Sequence, residues 1–100
     1  MKITQGDACN IPIKISINSQ TISPEYVKKV RLCFGPLKKE YPGELKFEEP
    51  YFLFPLTQEE SLNLRSKLKC EAHIQFVGGD IRVISLPDIQ VEKSICKEAM

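Results

Sequence analysis

Tryptophan is absent from this sequence, histidine occurs once, and no two cysteines are close enough to form a Cys-x-x-C pair. Zinc needs several thiolate or imidazole ligands at short spacing. Cys9, Cys33, Cys70 and Cys96 lie far apart and His73 stands alone, so neither a metal site nor any other cofactor is expected. No secretion signal points to an oxidising compartment, so the cysteines read as reduced, with Cys33 and Cys70 packed as small hydrophobes. An excess charge of one sign is also missing. Lys and Arg number 14 against 13 Asp and Glu, and a net charge of +1 provides no field for nucleic acid or an anionic membrane. The longest apolar runs, such as the one from Tyr51 to Leu56, fall far short of the roughly 20 residues of a membrane span. The start at Met1-Lys2-Ile3-Thr4 leads into polar residues without a hydrophobic signal region, so a soluble chain made in the cytoplasm is expected.

What is present is short apolar alternation. From Lys69 to Leu86, Cys70, Ala72, Ile74 and Phe76 alternate with Glu71, His73 and Gln75, the period of a half-buried strand. Gly78-Gly79 then offers a tight turn, and Ile81 to Ser85 returns with β-branched residues, which together read as a hairpin. Pairing Val77 with Asp80 would set Phe76 opposite Ile81 and Ile74 opposite Val83. A slip that makes Gly79-Asp80 the turn would also keep apolar on apolar.

Earlier in the chain, Ile11, Ile13, Ile15 and Ile17 form a second alternating run, and Pro12 inside it indicates a sheet edge or a bulge. Ser23-Pro24 suits the start of a single helical turn. Tyr26 to Phe34 reads as a third strand with Val30, Leu32 and Phe34 on one face. Leu37 to Tyr41 resumes extended, and Pro42-Gly43 reads as a type II turn leading to a return strand at Leu45-Lys46-Phe47. Tyr51 to Phe54 is a further short strand between Pro50 and Pro55. Thr57 and Glu60 form a capping box, predicting a helix of about two turns to Leu64 that carries the chain from one sheet to the other. Pro87-Asp88 is expected to turn the chain into a last strand at Ile89 and Val91.

The expected fold is therefore all-β, an antiparallel immunoglobulin-like β-sandwich of about seven or eight strands with one short helix. Residues 1–93 form the single domain and 94–100 a polar tail. The missing tryptophan argues against a true antibody-type domain.

Residues with chemical potential are each better explained by structure. His73 falls on the outer face of its strand, and Gly78-Gly79-Asp80 and Gly6-Asp7 serve as turns rather than phosphate or calcium loops. Glu48-Glu49 and the acids Glu59, Glu60 and Asp88 are not placed across a cleft as glycoside hydrolysis requires. Lys28, Lys29, Arg31, Lys38 and Lys39 interleave with Tyr26, Phe34 and Tyr41, but protection of strand edges accounts for them without single-stranded nucleic acid. No catalytic residue, small-molecule substrate or membrane contact is expected. In Tyr51-Phe52-Leu53-Phe54 both faces are apolar, so the strand is either central and buried on both sides or part of a protein interface. The interface residues would be Tyr51, Phe52, Leu53 and Phe54, with Ile11 and Ile13.

The order of these signals is informative. Ile-Thr-Gln-Gly-Asp followed by Ile11, Ile13 and Ile15, then Val30-x-Leu32-x-Phe34-Gly35, then Leu56-Thr57-Gln58-Glu59-Glu60-Ser61, then the hairpin, resembles small structural proteins of phages and prophages of Firmicutes. It is similar in particular to the N-terminal β-sandwich of upper baseplate proteins. The resemblance implies a virion part, an adaptor, fibre anchor or decoration subunit, that binds itself and neighbouring virion proteins and is made in the bacterial cytoplasm. The chain stops at Met100 with no fibre or receptor-binding module, so an accessory or connector subunit is expected rather than an adhesin. Two alternatives belong to other classes: an intracellular inhibitor or regulator that binds a host protein, and a carbohydrate or host-surface module using Tyr41 and Tyr51.

Overall fold

The apolar alternation builds two facing sheets. The computed structural model describes residues 2–64 and 66–94, among which there are ten strands and one short α-helix. The strands are β1 (Lys2–Thr4), β2 (Cys9–Ile13), β3 (Ser16–Ile17), β4 (Gln20–Thr21), β5 (Val27–Phe34), β6 (Leu37–Tyr41), β7 (Lys46–Glu48), β8 (Tyr51–Leu56), β9 (Lys67–Phe76) and β10 (Ile81–Glu92). The helix, α1, spans Gln58–Leu62, and a single 3-10 turn at Pro24–Tyr26 starts on the proline as expected.

A five-stranded sheet runs β1-β10-β9-β5-β6 and a three-stranded sheet runs β2-β8-β7, while β3 and β4 form a separate small hairpin. The chain alternates between the two main sheets, so each crossing closes the core further. Val30, Leu32 and Phe34 of β5 and Cys70, Ala72 and Ile74 of β9 meet Ile11 of β2 and Phe52 and Phe54 of β8, all of them buried. The Phe34 and Phe54 rings stack across the sheets with centroids 4.2 Å apart. Burying a side chain of this size stabilises by about 1.5–3 kcal/mol, so these phenylalanines dominate a small core.

The all-β character, the edge position of Pro12 on β2 and the helix that carries the chain between sheets match the sequence expectations. Several details differ. The isoleucine run breaks after Ile13, because Asn18 and Ser19 adopt positive φ (51° and 65°) and fold Ser16–Thr21 into its own hairpin. Pro42-Gly43 closes no hairpin: β6 and β7 lie in different sheets. The Glu44 and Leu45 amides both donate to the Glu40 carbonyl, which turns the chain and buries Leu45. Helix α1 stops at Leu62, short of the expected Leu64, and the Asn63 side chain donates to the Glu59 carbonyl at its end. Pro87-Asp88 makes no turn between strands but a bulge inside β10, which shifts the register between Leu86 and Ile89 and so keeps Leu86, Ile89 and Val91 facing inward. The sheet is not wholly antiparallel, since β1 pairs with Gln90–Glu92 of β10 in parallel. Of the predicted tail only Ser94 lies among the described residues; 95–100 fall outside them.

The hairpin register differs from both versions read from the sequence. The Phe76 amide donates to the Asp80 carbonyl and the Gly79 amide to the Phe76 carbonyl, with Gly79 at φ +99°. This is a three-residue loop, Val77-Gly78-Gly79, in which a turn is followed by a left-handed glycine. Ile81 therefore pairs with Gln75, Arg82 with Ile74 and Val83 with His73. A shift of one residue reverses the face of every side chain. Ile81 and Val83 consequently point away from the core.

Candidate functional site

Two of the sequence motifs that carry the resemblance, the Gly-Asp opening and the capping segment, meet in space. The capping box at α1 is complete: the Thr57 hydroxyl accepts from the Glu60 amide and the Glu60 carboxylate accepts from the Thr57 amide. This fixes α1 so that Ser61, fully buried, accepts from the Gly6 amide (2.9 Å) and donates to the Asp7 carbonyl (2.7 Å). The Gln58 side-chain amide donates to the Gly6 carbonyl and that of Gln5 to the Leu64 carbonyl. Gly6 holds φ +99°, which a side-chain-bearing residue rarely adopts. The Gly-Asp opening and the Leu-Thr-Gln-Glu-Glu-Ser segment thus form a clamp that closes one end of the fold.

Lys39, whose side chain is largely buried, makes a second tie. From β6 of the large sheet it reaches the Pro55 carbonyl and the Glu60 carboxylate (2.9 Å), and its ammonium lies 5.2 Å from the centre of the Phe54 ring. Burial pushes the Glu60 carboxyl up, but the hydrogen bonds from Thr57 and Lys39 outweigh it and hold the group below the usual carboxylate range.

The exposed chemistry lies on the outer face of the five-stranded sheet. Ladder positions place Ile81, Val83 and Ser85 of β10 beside Gln75, His73 and Glu71 of β9, then Lys29, Arg31 and Cys33 of β5, then Glu40 and Lys38 of β6. Arg31 donates through both Nε and Nη2 to Glu40 Oε2 at 2.8 Å, and Lys29 lies 3.2 Å from the same oxygen. The Arg31 and then the Lys29 hydrogen bond hold the Glu40 carboxyl low. Next to this charged half is an apolar half: Val77, Ile81 and Val83 are 70, 65 and 57% exposed. Three large apolar side chains left in water on one hairpin form a patch of the kind that marks an interaction surface.

The six residues proposed as an interface from the sequence separate into two groups. Ile11, Phe52 and Phe54 belong to the core between the sheets, which withdraws them from any contact surface. Their burial follows from β8 lying centrally between β2 and β7 with its Phe52/Phe54 face turned inward. Ile13 is half-buried against the same core, Leu53 is half-buried on the opposite face, and Tyr51 is exposed. Tyr41 packs edge-on against Phe52 and is half-buried, which leaves Tyr51 as the exposed member of the pair suggested for sugar stacking. His73 lies half-buried on the outer face, 3.4 Å from Glu71. Cys70 is buried, and burial pushes its thiol pKa up, as for a packed hydrophobe.

Val77, Ile81 and Val83 escaped the sequence reading because Ile81-Arg82-Val83-Ile84-Ser85-Leu86 is apolar at both parities. Only the loop length decides which set faces in. Among the described residues no group of three or more His, Cys, Asp or Glu is placed to hold a metal ion, and no helix is long and apolar enough to cross a membrane. Comparison with protein-family models, with curated proteins and with solved structures finds no match.

Proposed function

We propose that this chain is a non-enzymatic binding module, a structural or accessory subunit of a phage particle that associates with itself and with neighbouring virion proteins. The observation that carries the reading is the cluster of exposed apolar side chains on one hairpin, Val77 in its loop and Ile81 and Val83 on the outer face of β10. Such surface is costly to leave in water and is covered in an assembly. The strand order supports the finer fold reading. The orders β2-β8-β7 and β10-β9-β5-β6 correspond to the B-E-D and G-F-C-C′ sheets of an immunoglobulin-like sandwich. The resemblance to the N-terminal domain of upper baseplate proteins supplies the virion context, and its two main motifs are the halves of the clamp.

Quantitative mass spectrometry of purified particles from the producing strain tests the proposal. A fixed stoichiometry against the major capsid protein is the expected result, with a copy number of six or twelve for a ring or hundreds for capsid decoration. Recovery only from the lysate, outside particles, would overturn it in favour of an intracellular inhibitor.

A further inference from the structure

We infer that the Ile81–Leu86 edge of β10 pairs with the same edge of a second copy, antiparallel about a two-fold axis at Val83, joining two five-stranded sheets into one. This inference deepens the proposed function by naming the partner at the strand edge that borders the exposed face. The first support is an open edge: β10 pairs with β9 along one side, while on the other side β1 reaches only Gln90–Glu92. Among the described residues nothing pairs with Ile81–Leu86 on that side.

The second support is that this edge lacks the protection the others carry. Unpaired strands are normally guarded by lysine, proline, bulges or brevity. The β6 edge has Lys38 and Lys39, the β2 edge has Pro12, and β7 is three residues long. Ile81–Leu86 has Arg82 alone, and its proline and bulge lie beyond Leu86.

The third support is register. The Phe76 amide bonds to the Asp80 carbonyl, so residues of β10 alternate from there. Arg82, Ile84 and Leu86 direct their N–H and C=O groups to β9, while Ile81, Val83 and Ser85 direct theirs to the open side. The same odd-numbered residues carry the outward side chains. A two-fold axis normal to the sheet and centred on Val83 pairs Ile81 with Ser85 and Val83 with Val83, which satisfies both parities and makes about six inter-strand hydrogen bonds. It also sets Arg82 opposite Ile84, with no like charges facing each other. Centring on Arg82 would oppose two arginines, and centring on Ile84 would set Ile81 against Pro87. The self-complementary register is therefore what selects a second copy as the occupant. An edge pairing of this length is smaller than a standard interface of about 1,600 Å², so a micromolar dissociation constant is expected.

The test is sedimentation equilibrium of the full chain up to about 100 µM, where micromolar affinity gives mostly dimer. The wild type should approach twice 11.4 kDa. Val83→Lys and Val83→Pro should remain monomeric with an unchanged circular dichroism spectrum, because the Val83 amide does not serve the β9 ladder. Under mild oxidation Val83→Cys should give an intermolecular disulfide between the two introduced thiols in peptide mapping, since hydrogen-bonded partners lie about 5.5 Å apart, within disulfide reach. Ser85→Cys should not, its two copies being more than about 13 Å apart. A monomeric wild type at the highest concentration would overturn the inference, as would a dimer that Val83→Lys leaves intact. Either result would leave the virion proposal to stand or fall on the particle measurement, which does not depend on pairing in the isolated chain.

Discussion

At the scale of single residues, the side chain that joins most of the molecule is Lys39. It ties β6 to the carbonyl of Pro55 and the carboxylate of Glu60, and so links the large sheet, the small sheet and the helix cap. Lys39→Met keeps the aliphatic stem but strands a part-buried carboxylate and a carbonyl, and should cost about 1–3 kcal/mol in urea unfolding. Phe54→Ala opens a void between the sheets and should cost about 3–5 kcal/mol by the same measurement. The Glu60 carboxyl titrates lower when folded than in the unfolded chain. Its contribution is therefore present at neutral pH and lost as pH falls through the depressed folded value. A thermal melting series from pH 7 to pH 2 should show this acid loss in the wild type and a shallower one in Glu60→Gln. The capping box was legible in the sequence because its partners stand three residues apart. Lys39 was not, because its partners lie 16 and 21 residues away and its sequence neighbourhood reads only as a basic edge.

At the scale of elements, the β9–β10 hairpin decides which surface is exposed. Its existence follows from the alternation on either side of two glycines, but its register depends on whether the loop has two residues or three. The apolar content of β10 fits either case, and the backbone of Gly79 settles it. Gly79→Ala forces a side chain into φ +99° and should cost about 1–2 kcal/mol, although there is open space around it. Gly78→Ala, also in open space but without positive φ, should be close to neutral. Equal costs for the two variants in chemical denaturation would indicate the two-residue turn instead. The clamp between α1 and the N-terminal turn makes a parallel case. Ser61→Ala removes the acceptor of the Gly6 amide and the donor to the Asp7 carbonyl in a fully buried position, and should cost about 1–3 kcal/mol. The two motifs were visible in the sequence as separate signals. That they occur together has a structural reason, the clamp, so on their own they speak for fold more than for function.

At the scale of the whole molecule, the architecture separates a closed core from an open flank. The crossings between sheets bury Phe34, Phe52 and Phe54, which removes the inward face of the aromatic strand β8 from the interface the sequence suggested. In its place the outer face of β10 and the adjoining loop carry the exposed apolar side chains Ile81, Val83 and Val77, and β10 also has an unpaired backbone edge. Fold class could be read from periodicity and turn spacing because those are local. The sheet crossing at Pro42–Leu45, the continuous β10 and the parallel β1 pairing could not, since each depends on which strand lies beside which.

The most direct test of this account is residue-resolved hydrogen–deuterium exchange by NMR across a concentration series. The Arg82, Ile84 and Leu86 amides should be protected at every concentration through β9, while the Ile81, Val83 and Ser85 amides should exchange freely when dilute and become protected as the protein is concentrated. Equal exchange of the two sets at all concentrations would contradict both the register and the role of this edge in assembly.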